Sequence, residues 1–282
     1  MIWWVLSTFL LSFSNIFRKK AMGFKTNIGS FGFMFLGISW WTSVFFVFLL
    51  LWKVNFDVFT LKYVSFTILL SALRISSTLI SQYVYKREKI SDIAPYENLN
   101  KILSIIISFF IFWDVSIISL CIAILVVVII FLSSYDFKKK YIPKTIQIFS
   151  VNQIIISIST IILWYILLSI SAIEYFMIEK VVAFIMLFTI IIISKDLFKF
   201  KDLDRKFLQT RLTAALLWSI SYMMSLYIIS EFGVTINILL SFIFLIFILT
   251  FSYLLLWDKP TKKSIIVSIV VVILVWLWFY FK

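Results

Sequence analysis

The sequence predicts an all-α polytopic membrane protein with ten transmembrane helices in two inverted five-helix repeats. Three observations predict it. Of 282 residues, 63% are hydrophobic and only 14% are charged, whereas a soluble domain carries roughly a quarter charged residues. Apolar stretches near the ~20 residues that cross a bilayer as a helix recur ten times. The second half of the chain also repeats a pattern of the first.

The ten stretches are residues 2–22, 31–52, 62–85, 92–112, 115–134, 147–170, 175–194, 208–229, 233–256 and 263–281. No cationic region precedes the first, and a Lys/Arg cluster follows it, so it reads as a retained helix and not as a cleaved signal peptide. The fourth opens with Ser91, Asp92 and Pro95, with the proline in its first turn, where it is tolerated. The fifth is uninterrupted from Leu120 to Leu132. The tenth runs through Ile265, Ile266, Val267 and onward without the alternation that a barrel strand would need. β-Branched residues are common, but a helix satisfies its own backbone in lipid, so soluble propensities count for little.

The formal charge is +13, with 26 basic and 13 acidic residues. Nineteen of the basic residues fall in the odd-numbered connections, in the clusters Arg18–Lys25, Lys86–Lys89, Lys138–Lys144, Lys195–Lys206 and Lys259–Lys263. By the positive-inside rule these connections are cytoplasmic and both termini lie outside, in a cell inner or plasma membrane. The basic excess is thus an orientation signal spread over five short loops, which argues against a nucleic-acid partner. The chain has no His and one Cys, Cys121. That removes imidazole-based catalysis and metal ligation, and it removes internal disulfides. No Gly-rich phosphate loop, nucleophile elbow or metal-ligand pair appears, so no enzyme activity, cofactor or metal is expected.

A gapless shift of 144 residues places Tyr83 on Tyr227, Ser108 on Ser252, Trp113 on Trp257, Asp114 on Asp258 and Val127 on Val271. Spans three to five thus fall on spans eight to ten, so residues 1–140 and 141–282 form two five-helix halves. Five is odd, so the halves have opposite orientation in the membrane, an arrangement characteristic of transporters. With Ser91-Asp92-Ile93-Ala94-Pro95-Tyr96 opening span four, Gly233-Val234-Thr235 opening span nine, and Trp113-Asp114 and Trp257-Asp258 at the matching turns, the chain resembles the drug/metabolite transporter superfamily in its ten-helix EamA-type branch. That family usually has Gly-Glu at these turns. The resemblance implies alternating-access carriage of small metabolites such as amino acids, nucleosides, nucleotide-sugars or cationic compounds. It also implies cytoplasmic termini, opposite to the orientation read from the charges.

Charges inside a membrane are costly and face a cavity or a partner. Arg74 lies about 18 Å along span three from Lys62, near the midplane. Thr67, Ser71, Arg74, Thr78, Ser81, Gln82 and Tyr85 share one face of that helix. Two readings are open. In one, the stripe walls an aqueous cavity and Arg74 clamps a carboxylate or phosphate. In the other, small residues pack helices together and Arg74 is tied to Glu97. Span four carries Glu97, Asn98, Asn100 and Lys101, with Glu97 and Lys101 spaced as an i,i+4 pair. These five polar contacts form the expected substrate site at mid-depth. Glu97 is the candidate carrier of a coupling proton. Trp218 and Tyr222, with Ser225, share a face of span eight, and Gln153, Ser157, Thr160 and Trp164 share one of span six. Such aromatics could stack on a planar solute or hold a cation. Glu174, Glu179 and Lys180 read as interfacial residues that snorkel, and Asp114 and Asp258 as caps of the turns or of the next helices.

The expected function is secondary transport of a small polar or charged metabolite, with the lipid bilayer and possible coupling ions as partners and a monomer or homodimer as the assembly. The alternatives are a flippase for a lipid-linked substrate and a non-transporting membrane scaffold.

Overall fold

A computed structural model describes residues 2–26, 28–39, 60–112, 117–135, 141–194, 203–241 and 243–280. The described residues are almost wholly helical. In chain order the helices are α1 (Ile2–Met22), α2 (Ser30–Ser39), α3 (Leu61–Arg87), α4 (Ile90–Glu97), α5 (Leu99–Phe112), α6 (Ile117–Ser134), α7 (Lys144–Leu167), α8 (Ala172–Ile193), α9 (Arg205–Ser241), α10 (Ile243–Leu256) and α11 (Lys262–Tyr280). Among the described residues four stretches are long and apolar enough to cross a membrane: α3, α7, α8 and the Arg205–Phe232 part of α9. The second half of span two and the Trp113-Asp114 turn lie outside the described residues.

Polarity is arranged for lipid and not for water. α6 turns Ile117, Ile118, Ile124, Leu125, Val128 and Leu132 outward, and α11 does the same with Ile266, Ile269 and Trp276. Asn15, Gln82, Asn98, Asn152, Gln153, Glu179, Lys180 and Arg211 are all buried. A contiguous apolar exterior of this kind marks a membrane-facing or docking surface.

Between helices in lipid, small residues and hydrogen bonds replace the hydrophobic drive. α1 packs most extensively on α9, where Ser7 Oγ donates to Ser221 O at 3.0 Å, Ser221 Oγ donates to Ser7 O at 2.8 Å and Ser14 Oγ donates to Ala214 O at 2.7 Å. α1 also meets α10 through rings, Phe13 standing 4.3 Å from Phe251. α7 packs on α3 and α5, with Asn152 Nδ2 donating to Ser81 Oγ at 3.0 Å.

The odd connections gather at one end of the bundle wherever they are described. Lys19 Nζ donates to the carbonyls of Tyr85 and, at 2.7 Å, Glu88. Thr145 Oγ1 donates to Glu88 Oε1 at 2.6 Å, and Phe24, Phe33 and Phe207 cluster together. Asp258 Oδ2 accepts from Ile90 N–H at 3.3 Å. Asp258 thus meets the N-terminus of α4, where an anion is favoured, and not that of the following helix. At Trp257 the backbone turns left-handed, with φ 56°. Glycine adopts that conformation without strain, and a tryptophan here is 80% exposed.

Two expectations are corrected. Span four is not one helix. Pro95 lies inside α4, beyond its first turn, so it removes the N–H that would bond to Ser91 O. Ser264 Oγ from α11 donates to that carbonyl instead. The helix then ends at Glu97, Asn98 takes φ −88° and ψ −6°, and α5 restarts at Leu99. The connection expected at 230–232 is also helical, because α9 continues to Ser241. The lone Gly233 costs a helix only about 1 kcal/mol relative to alanine, too little to end it.

Candidate functional site

The broken helix α4–α5, the polar face of α3 and the facing sides of α1, α2, α7, α8, α9 and α10 enclose a cavity of about 410 Å³. Six of the seven stripe residues of α3 line it: Ser71, Arg74, Thr78, Ser81, Gln82 and Tyr85. Thr67 instead turns its hydroxyl back to Tyr63 O at 2.8 Å.

Arg74, the central residue of α3, holds the middle of the cavity. Its guanidinium donates to Glu179 of α8 and to the hydroxyl of Tyr222 of α9. Lys180 Nζ lies 3.4 Å from the second oxygen of Glu179. It also stands 4.7 to 5.0 Å from the rings of Trp218, Tyr222 and Phe176. Trp218 and Tyr222 stack with centroids 5.0 Å apart. The ring pair therefore does hold a cation, but it is the protein's own lysine.

A second cluster lies toward the basic end. Glu97 accepts from the hydroxyl of Tyr85 and from Asn15 Nδ2 at 3.4 Å, and Arg18 stands 4.8 Å above the Tyr85 ring. Tyr85 is eleven residues from Arg74, roughly 16 Å along the helix. Glu97 is therefore not at the same depth as Arg74, and the single mid-depth site expected from the sequence resolves into two levels. Arg74 is tied to Glu179 and not to Glu97. Glu97 and Lys101, spaced i,i+4, do not bring their charged groups within 4.0 Å of each other. Lys101 Nζ donates to Asn98 Oδ1 at 2.7 Å and stands 5.3 Å from the Phe244 ring.

Of the residues singled out in the sequence, Arg74, Thr78, Gln82, Glu97, Asn100, Lys101, Trp218 and Tyr222 line the cavity. Asn98 does not; it is fully buried behind Lys101. Gln153, Thr160 and Ser225 also line it. Ser157 Oγ is spent on Asn100 O at 2.7 Å, and Trp164 packs against the core. Six buried polar atoms of lining residues have no partner among the described residues: Arg18 Nε, Ser71 Oγ, Gln82 Nε2, Asn100 Oδ1, Gln153 Oε1 and Ser219 Oγ. Buried polar groups are normally satisfied, so this wall is built to meet something polar.

Sequence reasoning missed Glu179, Lys180, Arg211, Arg18 and Asn15. Glu179 and Lys180 are each 3% exposed and do not snorkel; only Glu174 is terminal, closing a capping box with Ser171. The available signal was depth, since Glu179 lies eight residues past Ser171, about 12 Å into the helix. Arg211 is buried, with Nε donating to Phe33 O at 2.9 Å and the guanidinium 4.3 Å from the Phe33 ring. Gly37 makes room for it, because a Cβ there would come within 2.1 Å of Arg211 Nη2.

Comparison with known proteins gave no matching family model and no matching curated protein.

Proposed function

We propose that the chain is a secondary, gradient-driven membrane transporter that moves a small polar or charged metabolite by alternating access. The observation that carries this reading is the cavity itself. It is a space that brings charged and polar side chains, Arg74 among them, together with apolar ones inside a bundle whose outer surface is apolar. Intramembrane ionisable residues mark solute and ion pathways.

Ten spans in two inverted halves, residues 1–140 and 141–282, are part of the proposal, as is membership of the drug/metabolite transporter superfamily. The pairing of helices supports the halves. Taking α7 as counterpart of α1, α9 of α3, α10 of α4–α5 and α11 of α6, the exchange turns the α1·α9 and α1·α10 contacts into α7·α3 and α7·α5, all of which occur. The α4·α10 and α6·α11 contacts are their own counterparts. The interruption at Glu97–Asn98 supports the site, since transporters build sites from discontinuous helices. With the basic end cytoplasmic, Glu97 lies about 10 Å from that face, counted from Ile90. A coupling proton would enter there.

Uptake into proteoliposomes of amino acids, nucleotides, sugar phosphates and amines tests the reading. At least one class is carried, and Arg74→Ala reduces its uptake at least tenfold. Glu97→Gln keeps solute counterflow but loses uptake driven by a proton gradient. Absence of flux for every class sinks the proposal. A flippase is the second reading. It draws on an apolar cleft between α10 and α11, lined by Leu249, Tyr253 and Ile269, that borders the cavity wall at Phe244 and Leu245. Scrambling of a lipid-linked probe with no flux of free solutes would favour it.

A further inference from the structure

Resting on the transport reading, we infer that the solute is a small organic anion with at least two negative charges. The observation behind this is a charge imbalance in the cavity wall. Its described lining carries five cations, Arg18, Arg74, Lys101, Lys180 and Arg211, and two carboxylates, Glu97 and Glu179. Glu179 is already shared by Arg74 and Lys180, and Glu97 takes its hydrogen bonds from Tyr85 and Asn15. Among the described residues no carboxylate lies within 4.0 Å of Arg18 or Arg211.

Both arginines are held in place, Arg211 buried and Arg18 half-buried. Arg211 is fixed by Phe33 O, by the Phe33 ring and by the space left at Gly37. Arg18 is fixed over Tyr85, and its Nε is buried without a hydrogen-bond partner. Cations withdrawn from water are strongly unfavourable unless an anion meets them. A guanidinium offers paired N–H donors that match carboxylate or phosphate. A monoanion would leave a formal surplus of two on this wall, and a dianion leaves one. The volume of about 410 Å³ sits near the low end of small-molecule pockets, so the solute is small. Gln82, a lining residue whose Nε2 has no partner among the described residues, offers a neutral donor for a hydroxyl or carbonyl of the same solute.

The test is binding to the purified full chain in lipid nanodiscs, using matched probes in which the anionic group is neutralised, removed or replaced by a cation. Succinate is paired with succinamide, glycerol 3-phosphate with glycerol, and 1,4-diaminobutane serves as the dication. Further dicarboxylates and phosphate monoesters extend the two anion arms, which separate carboxylate from phosphate recognition. At least one dianion binds tenfold or more tightly than its neutral partner, and more weakly as chloride rises. Arg211→Gln and Arg18→Gln each weaken it at least tenfold, while the ligand-free variants melt no lower than the parent. A merely structural arginine would give the reverse, a lower melting point with unchanged binding. Binding by no dianion, or equal binding of a neutral or cationic partner, overturns the inference. Dianion binding without dianion flux in proteoliposomes overturns the transport reading alone, and flux of a neutral or cationic solute overturns the anion assignment alone.

Discussion

Glu179 is the side chain on which the centre of the cavity depends. It balances both Arg74 and Lys180 at a position 3% exposed. Removing one member of a buried ion pair leaves an uncompensated charge and costs about 3–5 kcal/mol. Glu179→Gln is therefore expected to lower the melting temperature sharply, and Glu179→Gln combined with Arg74→Met to recover part of that loss. Melting curves of the two variants in lipid nanodiscs check this; additive losses would show that the two side chains are not coupled. At this scale the sequence was informative on α3, because a polar stripe with one arginine in a helix that must satisfy lipid has few explanations. It was misleading on α8, where Glu179 and Lys180 stand close enough to a helix start to resemble interfacial residues. Partner choice was not legible, since Arg74 joins Glu179 across 105 positions of chain and nothing local encodes that contact.

The break between α4 and α5 is the element that shapes the site. Pro95 frees the carbonyl of Ser91, and Ser264 of α11 satisfies it. An orphaned buried carbonyl costs about 1–3 kcal/mol, so Ser264→Ala should destabilise the protein by that amount. Pro95→Ala restores the helical N–H, and in that background Ser264→Ala should cost clearly less. A double-mutant cycle in chemical or thermal unfolding measures the coupling; equal costs in both backgrounds would contradict the link. Among the described residues helix existence was legible, because continuous apolar runs of span length leave little choice of structure. Helix interruption was less so. A proline inside a helix costs about 3 kcal/mol and a lone glycine about 1 kcal/mol, and only the proline is followed by a helix end here, where α11 supplies the replacement donor and the Asn98 turn follows.

Across the whole molecule, one end collects the described parts of the odd connections and their lysines and arginines, from Lys19 through Lys86, Arg87 and Lys89 to Lys262. With Cys121 replaced by alanine, single cysteines at Glu88 and Ser169 report which end faces the cytoplasm. The charge distribution predicts that an impermeant maleimide added outside intact cells labels Ser169→Cys and spares Glu88→Cys. The opposite pattern would favour the orientation that the family resemblance implies. The charge asymmetry was legible because loop charges act without a partner. The position of the cavity was not, because it depends on how nine of the described helices meet. Thr78 lines that cavity between its two charge levels and belongs to neither ion cluster. A single cysteine there, in the same background, tests alternating access most directly. Labelling of Thr78→Cys by an impermeant reagent applied from each side of sealed vesicles is the measurement. Alternating access predicts reaction from both sides, with the balance shifting when a transported solute is supplied. Reaction from one side only, unchanged by any solute, would contradict it.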